Sequence, residues 1–157
     1  MSSKRKRTYA VGPGRMMINR VYAGLTRLGL GASYRQLLTV TGRRTGLPRS
    51  TPVDVMSLDG TSYLVAPYGE VSWVHNVRAD AAIMLRRRGH TCHYLAREVG
   101  PSEAAPVIRS YIARVPVTRA WWSAPVGASD AELRVEAATH PVFCLDPVGS
   151  VTPRNAV

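Results

Sequence analysis

Residues 36–66 read QLLTVTGRRTGLPRSTPVDVMSLDGTSYLVA, and this stretch decides the fold class. It contains three runs that are rich in β-branched and apolar residues: Gln36–Thr41, Arg49–Leu58 and Thr61–Ala66. Glycines at positions 42 and 46 flank the first turn, and the second turn is Asp59-Gly60, a strong hairpin signal. The stretch therefore predicts three antiparallel strands that are joined by short turns.

Three further strands follow downstream. The pattern predicts them at Ala82–Arg87, Thr91–Val99 and Pro141–Asp146. The first two form a hairpin around Arg88-Gly89. Because strands and helices do not alternate regularly, the pattern favours an antiparallel barrel over a doubly wound parallel sheet. We expect a mainly β (α+β) protein whose six antiparallel strands close into a small barrel with peripheral helices.

Helices are expected between the strands. One is predicted at Trp73–Asp80 with Ser72 as its cap, and a second at residues 102–115. Residues 116–128 are predicted to form a loop. The sequence Ser129–Glu132 matches a capping box, which indicates the start of a brief third helix.

The length of 157 residues fits one domain. Residues 1–13 are predicted to be a basic flexible tail, residues 14–148 the folded domain, and residues 149–157 a second tail. The domain would begin with an amphipathic helix, because apolar residues recur at helical spacing at Met17, Val21, Leu25 and Leu28.

The charge of the chain is distributed unevenly. There are 21 Lys and Arg residues against 10 Asp and Glu residues, and residues 1–53 contain no acidic residue. This imbalance indicates an anionic partner: nucleic acid, an anionic membrane surface bound through residues 1–30, or a phosphorylated or polycarboxylate ligand. Nucleic acid is the least favoured, because the chain has a single Phe and no aromatic–basic strand platform.

The cysteine content and the N-terminus bear on the compartment. Cys92 and Cys144 give no disulfide framework, and no apolar stretch of a secretory signal follows the basic start. We therefore expect a cytoplasmic protein, with a peripheral position at the inner face of the plasma membrane as an option that residues 1–30 leave open.

Common catalytic motifs are missing from the sequence. It has no phosphate-binding P-loop, no dinucleotide-binding glycine motif and no serine-hydrolase elbow. His90, Cys92 and His93 cannot converge on a metal, because neighbouring residues of a strand point to opposite faces, and we expect no metal site. His75 and His140 have no evident carboxylate partner nearby in sequence. An enzyme of this composition would depend on a cofactor for its chemistry.

The turn after the first predicted strand is the best candidate for an anion site. Gly42 and Gly46 flank Arg43, Arg44 and Thr45, and Arg49 follows directly. Glycine allows backbone N–H groups to face an anion, and arginine binds phosphate oxygens with two parallel hydrogen bonds.

The run from Leu37 to Arg49, followed by Thr51-Pro52, resembles the deazaflavin-dependent nitroreductase and quinone reductase family. The later run from Leu64 to Ala79 resembles the same family, whose loop at this point leads into a helix with the pattern W-x-x-N. The similarity extends over about residues 35–100, and it is looser in the C-terminal third.

The resemblance implies a split β-barrel of the FMN-binding type and the cofactor F420, an 8-hydroxy-5-deazaflavin with a phosphodiester and an oligoglutamate tail. FMN is the alternative cofactor on the same barrel. The matched positions imply a phosphate site at Arg43, Arg44, Thr45, Gly46 and Arg49. They also imply that the cofactor is lined by Pro52, Val53, Asp54, Ala66, Pro67, Tyr68, Gly69, Trp73 and Asn76.

The family's chemistry implies hydride transfer from the reduced deazaflavin to an electrophilic acceptor such as a quinone, an enone or a nitroaromatic compound. Tyr68 and Tyr111 are the candidate proton donors, and Trp121 and Trp122 are candidate walls of the acceptor pocket. The alternative is a basic barrel that binds nucleic acid or a membrane surface without catalysis. Both a monomer and a homodimer fit the sequence.

Overall fold

The computed structural model describes residues 33–149. The predicted N-terminal helix and most of both predicted tails lie outside the described residues. Six strands are present in the described range: β1 Arg35–Thr41, β2 Pro48–Leu58, β3 Thr61–Val65, β4 Ala82–Arg87, β5 His90–Glu98 and β6 Val142–Pro147. Each predicted strand is found, and its predicted ends lie within one residue of the observed ends.

The six strands form a closed barrel in the order β1-β2-β3-β6-β5-β4, and all neighbouring strands are antiparallel. The predicted fold class is therefore confirmed. The two tight hairpins have positive φ at both turn residues, 49° and 79° at Asp59-Gly60 and 48° and 81° at Arg88-Gly89. Such turns match the right-handed twist of the strands, which explains the glycine in both turns and the aspartate at position 59.

Three α-helices connect the strands: α1 Ser72–Ala79, α2 Pro101–Arg114 and α3 Asp130–Ala137. The predicted capping box is confirmed at α3, where Ser129 Oγ accepts from the Glu132 amide and the Glu132 carboxylate accepts from the Ser129 amide. Ser72 is the first residue of α1 and not its cap, so that prediction was wrong. The cap position is occupied by Val71, whose backbone is extended and whose side chain makes no capping hydrogen bond.

The start of α2 and the loop that follows it also differ from the prediction. Helix α2 begins at Pro101, one residue earlier than expected, because proline fits the first helical position where no N–H donor is needed. The predicted loop 116–128 contains a 3-10 helix at Pro116–Trp121. Within residues 33–149, no helix has both the length and the hydropathy needed to cross a bilayer.

The hydrophobic core has two layers, because alternate residues of each strand face opposite sides. On β3, Leu64 points into the barrel, where it meets Leu38 and Phe143. Its neighbour Tyr63 faces outward into a second cluster that α2 and α3 cover with apolar side chains such as Ile108. The helices thus close one outer face of the barrel, and α1 packs beside the end of β1.

Candidate active site

A cavity of about 1040 Å³ opens where the β1–β2 turn and the start of β2 face the N-terminal half of α1. Its volume is at the upper end of the range for small-molecule and cofactor sites. The lining consists of Val40, Gly42–Thr45, Arg49–Pro52, Tyr68, Glu70–Trp73, His75 and Asn76.

The β1–β2 turn is held by its own backbone. The Gly42 amide donates to the Leu47 carbonyl at 2.8 Å, and the Gly42 carbonyl accepts from the amides of Thr45 and Gly46. A side chain at Gly42 would place Cβ 3.0 Å from the Leu47 oxygen and 3.1 Å from Thr45 Oγ1. A side chain here would therefore crowd the turn's own atoms, which would have to give way by a few tenths of an ångström.

Arg43 ties this turn to α1. Asn76 Oδ1 accepts hydrogen bonds from the Arg43 amide at 3.2 Å and from its guanidinium at 2.9 Å. The same guanidinium donates to the Ser72 carbonyl at 3.3 Å. Arg43 is thus engaged in holding the turn against the helix.

Arg44 and Arg49 also line the cavity and are exposed. Among residues 33–149 neither side chain makes a hydrogen bond or an ion pair. The acidic residue of the lining, Glu70, is instead paired with Arg78 at 2.8 Å. That hydrogen bond holds the pKa of Glu70 below its ordinary value. The two arginines therefore give the cavity a positive potential that no carboxylate of the described residues neutralises.

The remaining wall is aromatic and apolar. Trp73 lines the cavity and packs against Phe143, with ring centroids 5.8 Å apart. Tyr68 also lines the cavity and is exposed, and its ring meets the ring of Trp121 edge to face at 5.3 Å. The cavity thus combines a cationic part with an apolar part that suits a planar ring.

Eight predicted cofactor-binding residues line this cavity: Arg43, Arg44, Thr45, Arg49, Pro52, Tyr68, Trp73 and Asn76. The other six do not. Gly46 faces a smaller groove of about 230 Å³, and Val53, Ala66 and Pro67 are buried. Gly69 shapes the loop that carries Tyr68, and Asp54 points away from the barrel interior.

Asp54 belongs to a buried polar cluster on the outer face of the barrel. It accepts from Arg35 Nε at 2.9 Å and from the Tyr111 hydroxyl at 2.9 Å. Burial, together with the nearby Asp54 carboxylate, raises the pKa of Tyr111. Tyr111 is fully buried and does not belong to the cavity lining, so this hydroxyl links α2 to β2.

The two tryptophans that were predicted to wall an acceptor pocket have different surroundings. Trp121 is half-buried behind Tyr68. Trp122 is buried in the cluster under α2 and α3, where its ring stacks on His140 with centroids 4.2 Å apart. Neither is part of the cavity lining itself.

The expectation that His140 has no carboxylate partner was wrong. Its Nδ1 lies 3.0 Å from a carboxylate oxygen of Glu136, one helical turn earlier. The spacing of four residues was available in the sequence as a signal, because residues four apart on a helix are neighbours.

Several lining residues were not among the predicted site residues, namely Val40, Gly42, Ser50, Thr51, Glu70, Val71, Ser72 and His75. Ser72 shares a face of α1 with Asn76, because residues four apart on a helix are neighbours. That periodicity was the signal that could have added Ser72 once Asn76 was chosen.

The sequence profile of one protein family, described as F420H(2)-dependent quinone reductase, matches residues 18–123. This span is more than half of the 157-residue chain. The chain belongs to the F420H2-dependent quinone reductase family. It is an oxidoreductase, and its cofactor is coenzyme F420.

Solved structures share the fold of this family member. An F420-H2 dependent reductase, FDR-A, is 22% identical with a TM-score of 0.52, and the match covers 73% of this chain and 95% of that one. A protein described as a domain-swapped dimer is 20% identical with a TM-score of 0.55, covering 85% and 96%.

A protein of unknown function from Agrobacterium tumefaciens is also 20% identical with a TM-score of 0.57, covering 91% of this chain and 59% of that one. At these identities the likeness concerns the barrel fold. No curated protein is significantly similar to the chain.

Proposed function

We propose that F420 occupies the cavity beside α1, with its phosphodiester on Arg44 and Arg49, and that the enzyme reduces an electrophilic acceptor at the Tyr68 side. The observation that carries the proposal is the pair of cavity-lining arginines without a partner among the described residues. One guanidinium group within the glycine-flanked turn and another just after it suit a phosphodiester, since each can donate two parallel hydrogen bonds.

The apolar part of the lining fits a ring system. Val40, Pro52, Val71 and Trp73 present hydrocarbon and aromatic surface next to the cationic turn. These side chains would exclude water from the reacting face and orient the ring. When bound in its reduced form, F420 supplies a hydride.

Reduction of a quinone or enone also requires a proton. Glu70 is an unsuitable donor, because Arg78 stabilises its ionised form. The Tyr68 hydroxyl and the His75 imidazole are the other proton carriers of the lining. We assign the donor role to Tyr68, which is exposed where an acceptor would enter.

The acceptor class follows from the chemistry of a hydride carrier. Quinones are the first candidates because the family is described by them, and enones and nitroaromatic compounds are electrophilic in the same sense. A panel of these three classes with reduced F420, monitored by loss of deazaflavin absorbance, ranks them. Equal inactivity toward all three would contradict the assignment.

Titration with F420, followed by tryptophan fluorescence, tests the site. The variant Arg44→Ala/Arg49→Ala should weaken binding at least about 100-fold, because it removes two charge-assisted contacts. The matched control is Arg86→Ala/Arg88→Ala, which removes the same charge from the β4–β5 hairpin outside the lining. Equal affinities in the two double variants would refute the phosphate assignment. FMN, added in the same way, tests the alternative cofactor.

Two finer features complete the proposal. The solved neighbour that is described as a domain-swapped dimer supports a homodimer, which light scattering of the purified chain would test. The basic residues of positions 1–30 support peripheral binding to an anionic membrane, where lipid quinones reside. Flotation with phosphatidylglycerol vesicles, compared with neutral phosphatidylcholine vesicles, would test that binding.

A further inference from the structure

We propose that Glu136 and His140 are positioning residues that hold Trp121 against Tyr68 and thereby set the aromatic wall of the acceptor side. The inference rests on the proposed function, which places the acceptor at Tyr68. Neither residue lines the cavity, so each would act through the segment Trp121–Ala124.

Glu136 anchors this segment by its backbone. The side chain is buried at the end of α3, with 4% of its surface exposed. Its Oε1 accepts from the amides of Ser123 at 2.8 Å and Ala124 at 2.7 Å. Its Oε2 lies 3.0 Å from His140 Nδ1. A buried carboxylate with these three contacts is satisfied, and it fixes the residues that follow Trp121.

His140 completes the anchor on the other side. Its Nε2 lies 3.2 Å from the Trp121 carbonyl oxygen, which can only accept, so Nε2 carries a proton. The ring is buried and stacks on Trp122 with an interplanar angle of 26°. Together, Glu136 and His140 bind the backbone on both sides of Trp122.

The turn at Thr139–Pro141, which contains His140, also supports the loop that carries Tyr68. The Ala66 amide donates to the Pro141 carbonyl at 2.9 Å. A Cβ on Gly69 would lie 3.1 Å from the Thr139 carbonyl oxygen, so the loop rests closely on the residue before His140. The Tyr68 ring then meets the Trp121 ring edge to face. One turn therefore fixes both partners of this aromatic contact.

This arrangement predicts separate effects on the two ligands. The cationic turn, which would hold the cofactor, is bound to α1 through Asn76, and Trp73 packs on Phe143 of the barrel. Glu136 and His140 bind a different segment, Trp121–Ala124. Loosening the anchor should therefore weaken the binding of the acceptor and leave the affinity for F420 unchanged. A general loss of stability would affect both.

The test compares His140→Leu with His140→Gln and Glu136→Gln. Leucine cannot donate to the Trp121 carbonyl. Glutamine at position 140 can, and glutamine at position 136 can accept from Ser123 and Ala124 while donating to Nδ1 of a neutral His140. Ile108→Val, which shortens a buried side chain of α2, is the control for destabilisation. It should lower the free energy of unfolding by about 1 kcal/mol.

We expect His140→Leu to raise the KM for menadione about tenfold while the Kd for F420 stays within about twofold, as loss of one buried hydrogen bond implies. The apo protein should also lose near-ultraviolet circular dichroism from the Trp121–Tyr68 contact. Both glutamine variants should lie near the wild type. The proposal would be overturned if His140→Leu left the KM and the spectrum unchanged, or if it raised the KM for menadione and the Kd for F420 by the same factor.

Trp121→Leu covers the case in which His140→Leu does not fold, because Trp121 is only half-buried. It should raise the KM for menadione and reduce the near-ultraviolet signal in the same way, and an unaltered KM would overturn the proposal. A wild-type protein that binds no F420 would instead refute the proposed function, and the spectrum of the apo variants would still report on the anchor.

Discussion

The side-chain oxygen of Asn76 accepts two hydrogen bonds from Arg43, one from the backbone amide at 3.2 Å and one from the guanidinium at 2.9 Å. These residues are 33 positions apart in the chain. The contact joins the basic turn to α1 and shapes the cavity from both sides. It adds a tertiary contact to the backbone hydrogen bonds that already hold the turn.

Replacing Asn76 with alanine should therefore loosen the turn. The variant leaves the Arg43 amide without its acceptor, and we expect F420 affinity to fall about tenfold with a loss of about 1–3 kcal/mol in stability. Fluorescence titration and thermal unfolding measure the two effects. Asn76→Asp is the matched variant, because it keeps an acceptor for both donors and should recover most of the stability. Wild-type affinity in Asn76→Ala would contradict this role.

Gly42→Ala tests whether the turn needs a glycine. The added Cβ would meet the Leu47 oxygen at 3.0 Å, so the turn must shift, at a cost of about 1–3 kcal/mol. We expect a lower melting temperature and weaker binding of F420. Gly100→Ala is the control, because its Cβ would meet no atom within 4 Å. The expectation fails if both variants melt at the same temperature.

Trp73 should be the main reporter of cofactor binding. It lines the cavity, whereas Trp121 lies behind Tyr68 and Trp122 is buried under the helices. We expect Trp73→Phe to lose most of the fluorescence change on titration with F420. Trp122→Phe, which changes the same kind of side chain outside the lining, should keep that change. If Trp122→Phe lost the fluorescence change and Trp73→Phe kept it, the deazaflavin ring would not lie beside Trp73.

Tyr111→Phe should change how the stability of the protein depends on pH above about pH 10. Burial and Asp54 raise the pKa of Tyr111 in the folded state, whereas in the unfolded chain it is near 10. Above about pH 10 the unfolded state releases this proton and the folded state keeps it, so the free energy of unfolding falls by about 1.4 kcal/mol per pH unit.

The phenylalanine variant lacks this titration. It should be less stable at neutral pH by about 1–3 kcal/mol, since Asp54 loses a buried donor. The difference from the wild type should then shrink as the pH rises above 10, in denaturant titrations at a series of pH values. A constant difference up to pH 11.5 would contradict the buried hydrogen bond.

Much of the barrel could be predicted because its signals are local. Asp59-Gly60 and Arg88-Gly89 adopt the positive φ values that tight hairpins require, and the strand ends follow from these turns. The start of α1 was predicted one residue too late. Serine is a common cap residue, and the sequence does not show that the backbone is already helical at Ser72.

The site was predictable in part for a similar reason. Arg44 and Arg49 lie in one short segment next to glycines, so their joint position at a cavity depends on little else. Asp54 is different, because a strand has two faces and the sequence pattern around Pro52 does not tell which one the helices cover. His140 needed the full extent of α3 to bring Glu136 within 3.0 Å.

The six strands, their hairpins and the glycine-flanked arginine turn were predictable from the sequence alone, since turn chemistry and hydrophobic alternation act between near neighbours. The set of side chains that share the cavity became known only from the folded chain. Closing the barrel brings Asn76 to Arg43 and turns Tyr111 away to Asp54. Such contacts depend on packing between distant segments, which no local pattern encodes.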